Sequence, residues 1–164
     1  MTKKTYLKIL AFFSAHTKLK QFFLFVQKGL ELLIYICYPV FLVCLYIADN
    51  NFYLWSAILC LSGLILTSLI RKLINAKRPY EIFEVSPIIK KQTRGTSFPS
   101  RHVFSATVIA MNVMAVYPPV GTLLLICALI IAVLRVVLGV HFIKDVVAGA
   151  VLGLAFGTPA LFII

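Results

Sequence analysis

Acidic residues are scarce in this chain of 164 residues. Glu31, Asp49, Glu81, Glu84 and Asp145 stand against sixteen Lys and Arg, for a net charge of +11. These carboxylates form no cluster able to hold Mg²⁺, and Asp145 has no acidic neighbour, so neither a metal nor any other cofactor is expected. The four cysteines, Cys37, Cys44, Cys60 and Cys127, all sit inside apolar runs, and none has a CxxC or Cys/His spacing. That excludes a disulfide framework or zinc site and leaves them as small hydrophobic side chains. A cleavable signal peptide is not evident either. The N-terminal apolar stretch is broken by Lys8, His16, Lys18 and Lys20 and lacks a small-residue cleavage site. There is no internal repeat and no low-complexity segment.

Apolar residues, by contrast, are abundant. They make up 62% of the chain, and the mean hydropathy is +1.01. A water-soluble domain of this length has no core large enough to hide so much apolar surface, so lipid must be the solvent for much of it. The basic excess calls for an anionic partner. Because the charges fall between bilayer-length apolar segments, that partner is read as membrane lipid headgroups rather than nucleic acid.

The pattern predicts an all-α, integral membrane helical bundle in two parts. Residues 1–28 carry six lysines among Leu7, Ile9, Leu10, Phe12, Phe13, Phe22, Phe23 and Phe25. That mixture suits an amphipathic helix lying in the headgroup region, its lysines snorkelling to phosphates. Residues 29–164 form the transmembrane domain, with five spans expected near 32–48, 52–70, 102–117, 120–138 and 146–164. Each approaches the ~20 residues needed to cross ~30 Å of hydrocarbon.

The connections are unequal. Asp49-Asn50-Asn51 and Pro118-Pro119 are short turns without a basic residue, whereas the 71–101 segment holds eight Lys and Arg. With five spans, parity places the N-terminal arm, the 71–101 loop and the 135–145 junction on one membrane face. All sixteen basic residues then lie on that side.

Three polar clusters border the same face. In the first, Arg71 and Arg78-Pro79 are seven residues apart, about two helical turns, so both guanidinium groups share a face if the second span continues to Pro79. The second, Ser97-Phe98-Pro99-Ser100-Arg101-His102, opens the third span, and the N–H groups and dipole of a helix start favour a phosphate. The third runs from Arg135 through His141 to Asp145. If His141 and Asp145 share a helical turn, the carboxylate can accept one ring N–H and leave the other nitrogen free to attack.

Each cluster has a plainer reading. Arg71 and Arg78 alone are more often interfacial anchors, and Pro99-Ser100 alone is more often a helix cap. His141 with Asp145 is as readily a satisfied polar pair at a membrane boundary. His16 reads as interfacial, and Lys90, Lys91 and Arg94 as a solvated run able to help recruit substrate.

Together, the three clusters resemble the signature of the type 2 phosphatidic acid phosphatase superfamily: Lys-x6-Arg-Pro, Pro-Ser-Gly-His and Ser-Arg-x5-His-x3-Asp. Here they appear as Arg71-x6-Arg78-Pro79, Pro99-Ser100-Arg101-His102 and Leu134-Arg135-x5-His141-x3-Asp145. The resemblance spans about residues 30–164. Three positions depart from it. Arg71 replaces Lys and keeps the charge, Leu134 replaces Ser and removes a hydroxyl, and Arg101 replaces Gly. A glycine would let backbone approach phosphate closely, whereas arginine needs a compatible backbone but adds a charge-assisted contact for a second phosphate.

The resemblance implies a cell-membrane, multi-pass phosphatase. His141 would be the nucleophile, Asp145 its orienting partner, and His102 the acid and then the base. Arg71, Arg78, Ser100, Arg101 and Arg135 would bind phosphate. The expected substrate is a lipid phosphate or diphosphate, with undecaprenyl diphosphate favoured from chain size and Arg101. Phosphatidylglycerophosphate and phosphatidic acid are the alternatives. Two rivals from other classes remain: a lipid phosphotransferase, and a non-enzymatic membrane protein whose charged loops only anchor it. The resemblance sets the active site outside the cytoplasm, whereas the positive-inside rule sets the basic face within it.

Overall fold

The computed structural model describes residues 2–85 and 94–164. Helices account for most of the described backbone: α1 (Lys3–Ala15), α2 (Thr17–Ile47), α3 (Phe52–Ile74), α4 (Pro79–Ile82), α5 (Arg101–Val116), α6 (Pro118–Val137), α7 (Ile143–Gly157) and α8 (Ala160–Ile163). No strand occurs among the described residues.

The bundle is organised around α5. Val103, Phe104 and every residue from Ala106 to Val113 are buried, and α2, α3, α6 and α7 pack around them. Outward faces are apolar: Leu54, Ile58, Leu61 and Ile65 on α3, and Leu123, Ile126, Leu129 and Val133 on α6, are exposed. Such a surface is stable only in hydrocarbon. Four segments are long and apolar enough to cross a membrane, while α5 is shorter. Being wrapped by protein, α5 has little lipid to match. The protein is an integral membrane helical bundle.

The expected spans fall on these helices, with their ends displaced. Pro39 lies inside α2 without ending it. Because α2 runs unbroken from Thr17, the division expected at residue 28 lies within a helix rather than at its end. Tyr38 ties α2 to α3 by donating to the Ser56 carbonyl at 3.0 Å.

Small residues bring α7 against α5. A Cβ placed on Gly149, Gly153 or Gly157 would lie 2.5 Å from the Ser100 carbonyl oxygen, 2.6 Å from Thr107 Cβ or 2.4 Å from Met111 Cβ, respectively. Glycine at every fourth position therefore sets the helix separation along this whole contact. Its upper end is latched by a hydrogen bond from the Ser100 N–H to the Asp145 carbonyl, 2.8 Å.

The N-terminal arm folds back across the α6–α7 turn. Phe13 packs into a small cluster with Leu134, Leu138 and Val140. Tyr6 is fully buried, packs against Phe83 with ring centroids 5.4 Å apart and the rings tilted by 50°, and closely approaches Gly139, whose φ is +69°. Lys3, Lys4, Lys8, Lys18 and Lys28 stay exposed.

Candidate active site

The three polar clusters meet at one end of the bundle, where the 95–100 segment lies between the end of α3 and the 138–142 turn. His141 sits in that turn, outside the spanning helices, and is 2% exposed. It does not share a helical turn with Asp145 as expected, because α7 begins only at Ile143. Asp145 instead caps the helix start: its Oδ2 accepts the Phe142 N–H at 3.0 Å. The same oxygen lies 3.5 Å from His141 Nδ1. Capping and imidazole contact thus use one carboxylate, a consequence of placing Asp in the first turn.

Ser97 completes this group. Its hydroxyl lies 2.5 Å from Asp145 Oδ2 and 3.2 Å from His141 Nδ1. With Nδ1 engaged on that side, Nε2 is the ring nitrogen left for chemistry. Burial pushes the His141 imidazole below the ordinary histidine value, and the charges of Arg78 and Arg135 add to this against the opposing hydrogen bond that Asp145 accepts. That shift favours the neutral ring, the form in which a histidine nitrogen can act as a nucleophile.

Arg71 and Arg78 do not lie on one helix. Asn75 adopts the left-handed conformation, φ 42°, and closes α3, so the chain leaves the helix before Arg78. The two side chains still converge, because both donate to the 95–99 segment. Arg71 Nη1 donates to the Pro99 carbonyl at 2.5 Å, and Arg78 Nε to the Gly95 carbonyl at 3.3 Å. Glu81 fastens the other side of that segment, accepting the Gly95 N–H at 2.9 Å and the Arg78 N–H at 2.9 Å.

Ser100 precedes the first turn of α5, but its side chain makes no capping hydrogen bond. Its Oγ is buried and without a hydrogen-bond partner among the described residues, as is Arg135 Nε. Buried donors of this kind suit an anion. Arg101 opens α5 with its side chain exposed. Its backbone is not in the positive-φ region, so the position makes no glycine-only demand. Leu134, standing where the signature has serine, is buried in the cluster beneath α1.

His102 and Arg135 share a partner that sequence reading treated only as a charge. Glu31, from the middle of α2, places Oε1 2.5 Å from Arg135 Nη2 and Oε2 3.8 Å from His102 Nε2. Contacts therefore run from His102 through Glu31 to Arg135, whose carbonyl accepts the His141 N–H at 3.2 Å, and on to Asp145 and Ser97. Arg71 lies within electrostatic range of Arg78, Arg101, Arg135 and Asp145. All eight residues expected from sequence thus gather at one end of the bundle. Arg94 is described and exposed, while Lys90 and Lys91 lie outside the described residues.

An apolar cavity of about 330 Å³ opens beside this end between α2, α3 and α5, lined by Tyr35, Tyr38, Cys60, Leu64, Phe104 and Val108 among others. Tyr35 joins the two regions, lying within electrostatic range of Glu31, Arg135 and Arg101.

A multi-pass helical membrane protein with a buried histidine–carboxylate pair beside several arginines defines the class. Residues 51–163 match the PAP2 superfamily profile. The chain belongs to the PAP2 superfamily of phosphatases. Its structure is similar to that of LpxE from Aquifex aeolicus, with 26% identity, 88% of this chain and 86% of that one covered, and a TM-score of 0.70. It shares its fold with a transmembrane PAP2-type phosphatidylglycerolphosphate phosphatase from Bacillus subtilis, at 20% identity, 95% and 90% coverage, and a TM-score of 0.64. No curated protein sequence matches the chain.

Proposed function

We propose that the protein hydrolyses a phosphate from a membrane lipid through a phosphohistidine on His141. The observation that carries this reading is the engagement of His141 Nδ1 by Asp145 and Ser97, which leaves Nε2 to attack. In the first step the Nε2 lone pair forms a bond to phosphorus, the bond from phosphorus to the lipid-side oxygen breaks, and His102 gives that oxygen its proton. In the second, His102 takes a proton from water as the hydroxide oxygen bonds to phosphorus and the P–N bond breaks. Inorganic phosphate and neutral His141 result. Arg71, Arg78 and Arg135, with Ser100, would neutralise the phosphoryl oxygens, the main demand in phosphoryl transfer.

The apolar cavity beside the arginines supports a long hydrocarbon tail on the substrate. The exposure of Arg101 at the start of α5 supports a contact with a second phosphate, and with it undecaprenyl diphosphate over phosphatidylglycerophosphate and phosphatidic acid. Metal independence is part of the proposal. Among the described residues no group of three or more His, Cys, Asp and Glu side chains gathers to hold an ion.

The test is phosphate release by the purified full-length protein from each of those three lipids, beside His141→Ala and His102→Ala. The proposal expects turnover of at least one lipid and loss of most of it in both variants, with membrane insertion intact. Release only when an acceptor lipid or sugar is added would make the protein a phosphotransferase. Function unchanged by either replacement would make the site non-catalytic. We assign the protein to the cell membrane, the N-terminal arm lying among headgroups. A cysteine-accessibility label at Arg94→Cys, exposed beside Gly95, reports which face carries the site.

A further inference from the structure

We propose that Glu31 is a positioning residue of this site, holding Arg135 and His102 in fixed relation so that phosphate binding and leaving-group protonation act on the same bond. The inference rests on the phosphatase reading above and adds a residue from a helix that carries none of the three signature clusters.

Glu31 sits 14 residues into α2, in a stretch otherwise apolar from Gly29 to Ala48. A carboxylate there is costly unless it is paired. Three groups pair it. Gln27, one turn earlier and buried, donates Nε2 to Oε1 at 3.1 Å. Arg135 Nη2 lies 2.5 Å from the same oxygen. His102 Nε2 lies 3.8 Å from Oε2. One planar carboxylate therefore spans a guanidinium and an imidazole that come from different helices, α6 and α5. The reach is long in sequence, 104 residues between Glu31 and Arg135.

The contact with Arg135 has a directional consequence. With Nη2 committed to Glu31, the planar guanidinium cannot swing freely, and its buried Nε, without a partner among the described residues, is held in one orientation. A fixed donor stabilises charge that develops in the transition state without reorganising first. The contact with His102 works on the other end of the reaction. With Nε2 3.8 Å from the carboxylate, Glu31 orients the ring that must donate to the departing lipid oxygen. The arrangement parallels that of the nucleophile, where Asp145 attends His141. Each of the two site histidines thus has its own carboxylate, and the two acids come from opposite ends of the chain.

The test compares Glu31→Gln and Glu31→Asp with wild type as full-length detergent-solubilised protein. Two substrates are used: the lipid phosphate that wild type turns over fastest, and nitrophenyl phosphate, whose leaving group departs without a proton. General-acid help contributes roughly 10²–10⁴-fold, and misplacing the acid forfeits part of it. Glu31→Gln, close in size and still able to hydrogen-bond, should lower kcat on the lipid about 10- to 100-fold while KM changes by less than about threefold. Its deficit on nitrophenyl phosphate should be clearly smaller, and Glu31→Asp should restore part of the lost rate. Asp49→Asn, which removes an exposed acid at the far end of the bundle, should leave both rates unchanged.

A Glu31→Gln enzyme within about twofold of wild type on the lipid overturns the proposal. So do equal deficits on the two esters, which would reduce Glu31 to a structural contact. If Glu31→Gln does not fold, Glu31→Asp carries the same comparison, and a deficit in that variant that is not larger on the lipid overturns the proposal equally. A wild type inactive on every phosphate ester defeats the phosphatase reading itself. An active wild type, dead as His141→Ala but indifferent to Glu31, defeats only this inference.

Discussion

Replacing Gly149 with alanine tests whether the α5–α7 contact sets the active-site geometry. The added Cβ would stand 2.5 Å from the Ser100 carbonyl oxygen, against roughly 3.3 Å for an ordinary carbon–oxygen contact. One helix must therefore shift by about 0.8 Å, because the obstacle is backbone and cannot rotate away. Ser100 and His102 ride on α5 while Asp145 rides on α7, and the latch from the Ser100 N–H to the Asp145 carbonyl lies at this spot. A misplacement of about 1 Å can cost about 10²-fold in rate. Overpacking a tight contact costs about 1–3 kcal/mol. Gly149→Ala should therefore lose about 10²-fold in kcat while the protein still purifies as a folded species with a lowered Tm. The assay is phosphate release from the lipid in detergent micelles, with Tm followed on the same sample. Wild-type kcat in Gly149→Ala would refute the claim that this glycine sets the separation of the two halves of the site.

Ser97→Ala removes the hydroxyl between His141 and Asp145, and hydrogen bonds to such charged groups are worth about 1.5–3 kcal/mol. We expect kcat to fall about 10- to 100-fold with KM little changed, as steady-state kinetics would report. Because His141 is held below the ordinary histidine value, protonation disables the nucleophile only at lower pH. The acid limb of kcat/KM should thus lie below about 6.5. Removing the Arg78 charge, as in Arg78→Met, should move that limb upward, and an unmoved limb would count against Arg78 acting on His141. Activity should be undiminished in excess EDTA, whereas strict Mg²⁺ dependence would contradict the metal-free scheme.

The bundle was legible because each span is bounded by charge or proline, and because lipid-facing helices need no surface pattern beyond apolarity. Helix ends were less legible. Asn75 in the left-handed conformation closes α3 before Arg78, and Asp145 caps α7 so that His141 falls in a turn. Both outcomes are local hydrogen-bond choices that hydropathy does not encode. The eight candidate residues, Arg71, Arg78, Ser100, Arg101, His102, Arg135, His141 and Asp145, could be picked out by order and spacing, and the fold brings them to one end of the bundle. Glu31 was not. Its partners lie on α5 and α6, and the only signal in sequence was a lone carboxylate in an apolar span. Ser97 was visible as part of a polar run, but nothing local tied it to residues 44 and 48 positions away.

Covalent participation of His141 is the claim on which the chemistry rests, and rapid quenching reaches it directly. Wild-type protein mixed with radiolabelled lipid phosphate and stopped in alkali should carry label on the His141 peptide, stable to base and lost in acid, as a phosphoramidate is. His141→Ala should carry none and release almost no phosphate. Hydrolysis by His141→Ala at a near-normal rate would contradict the account.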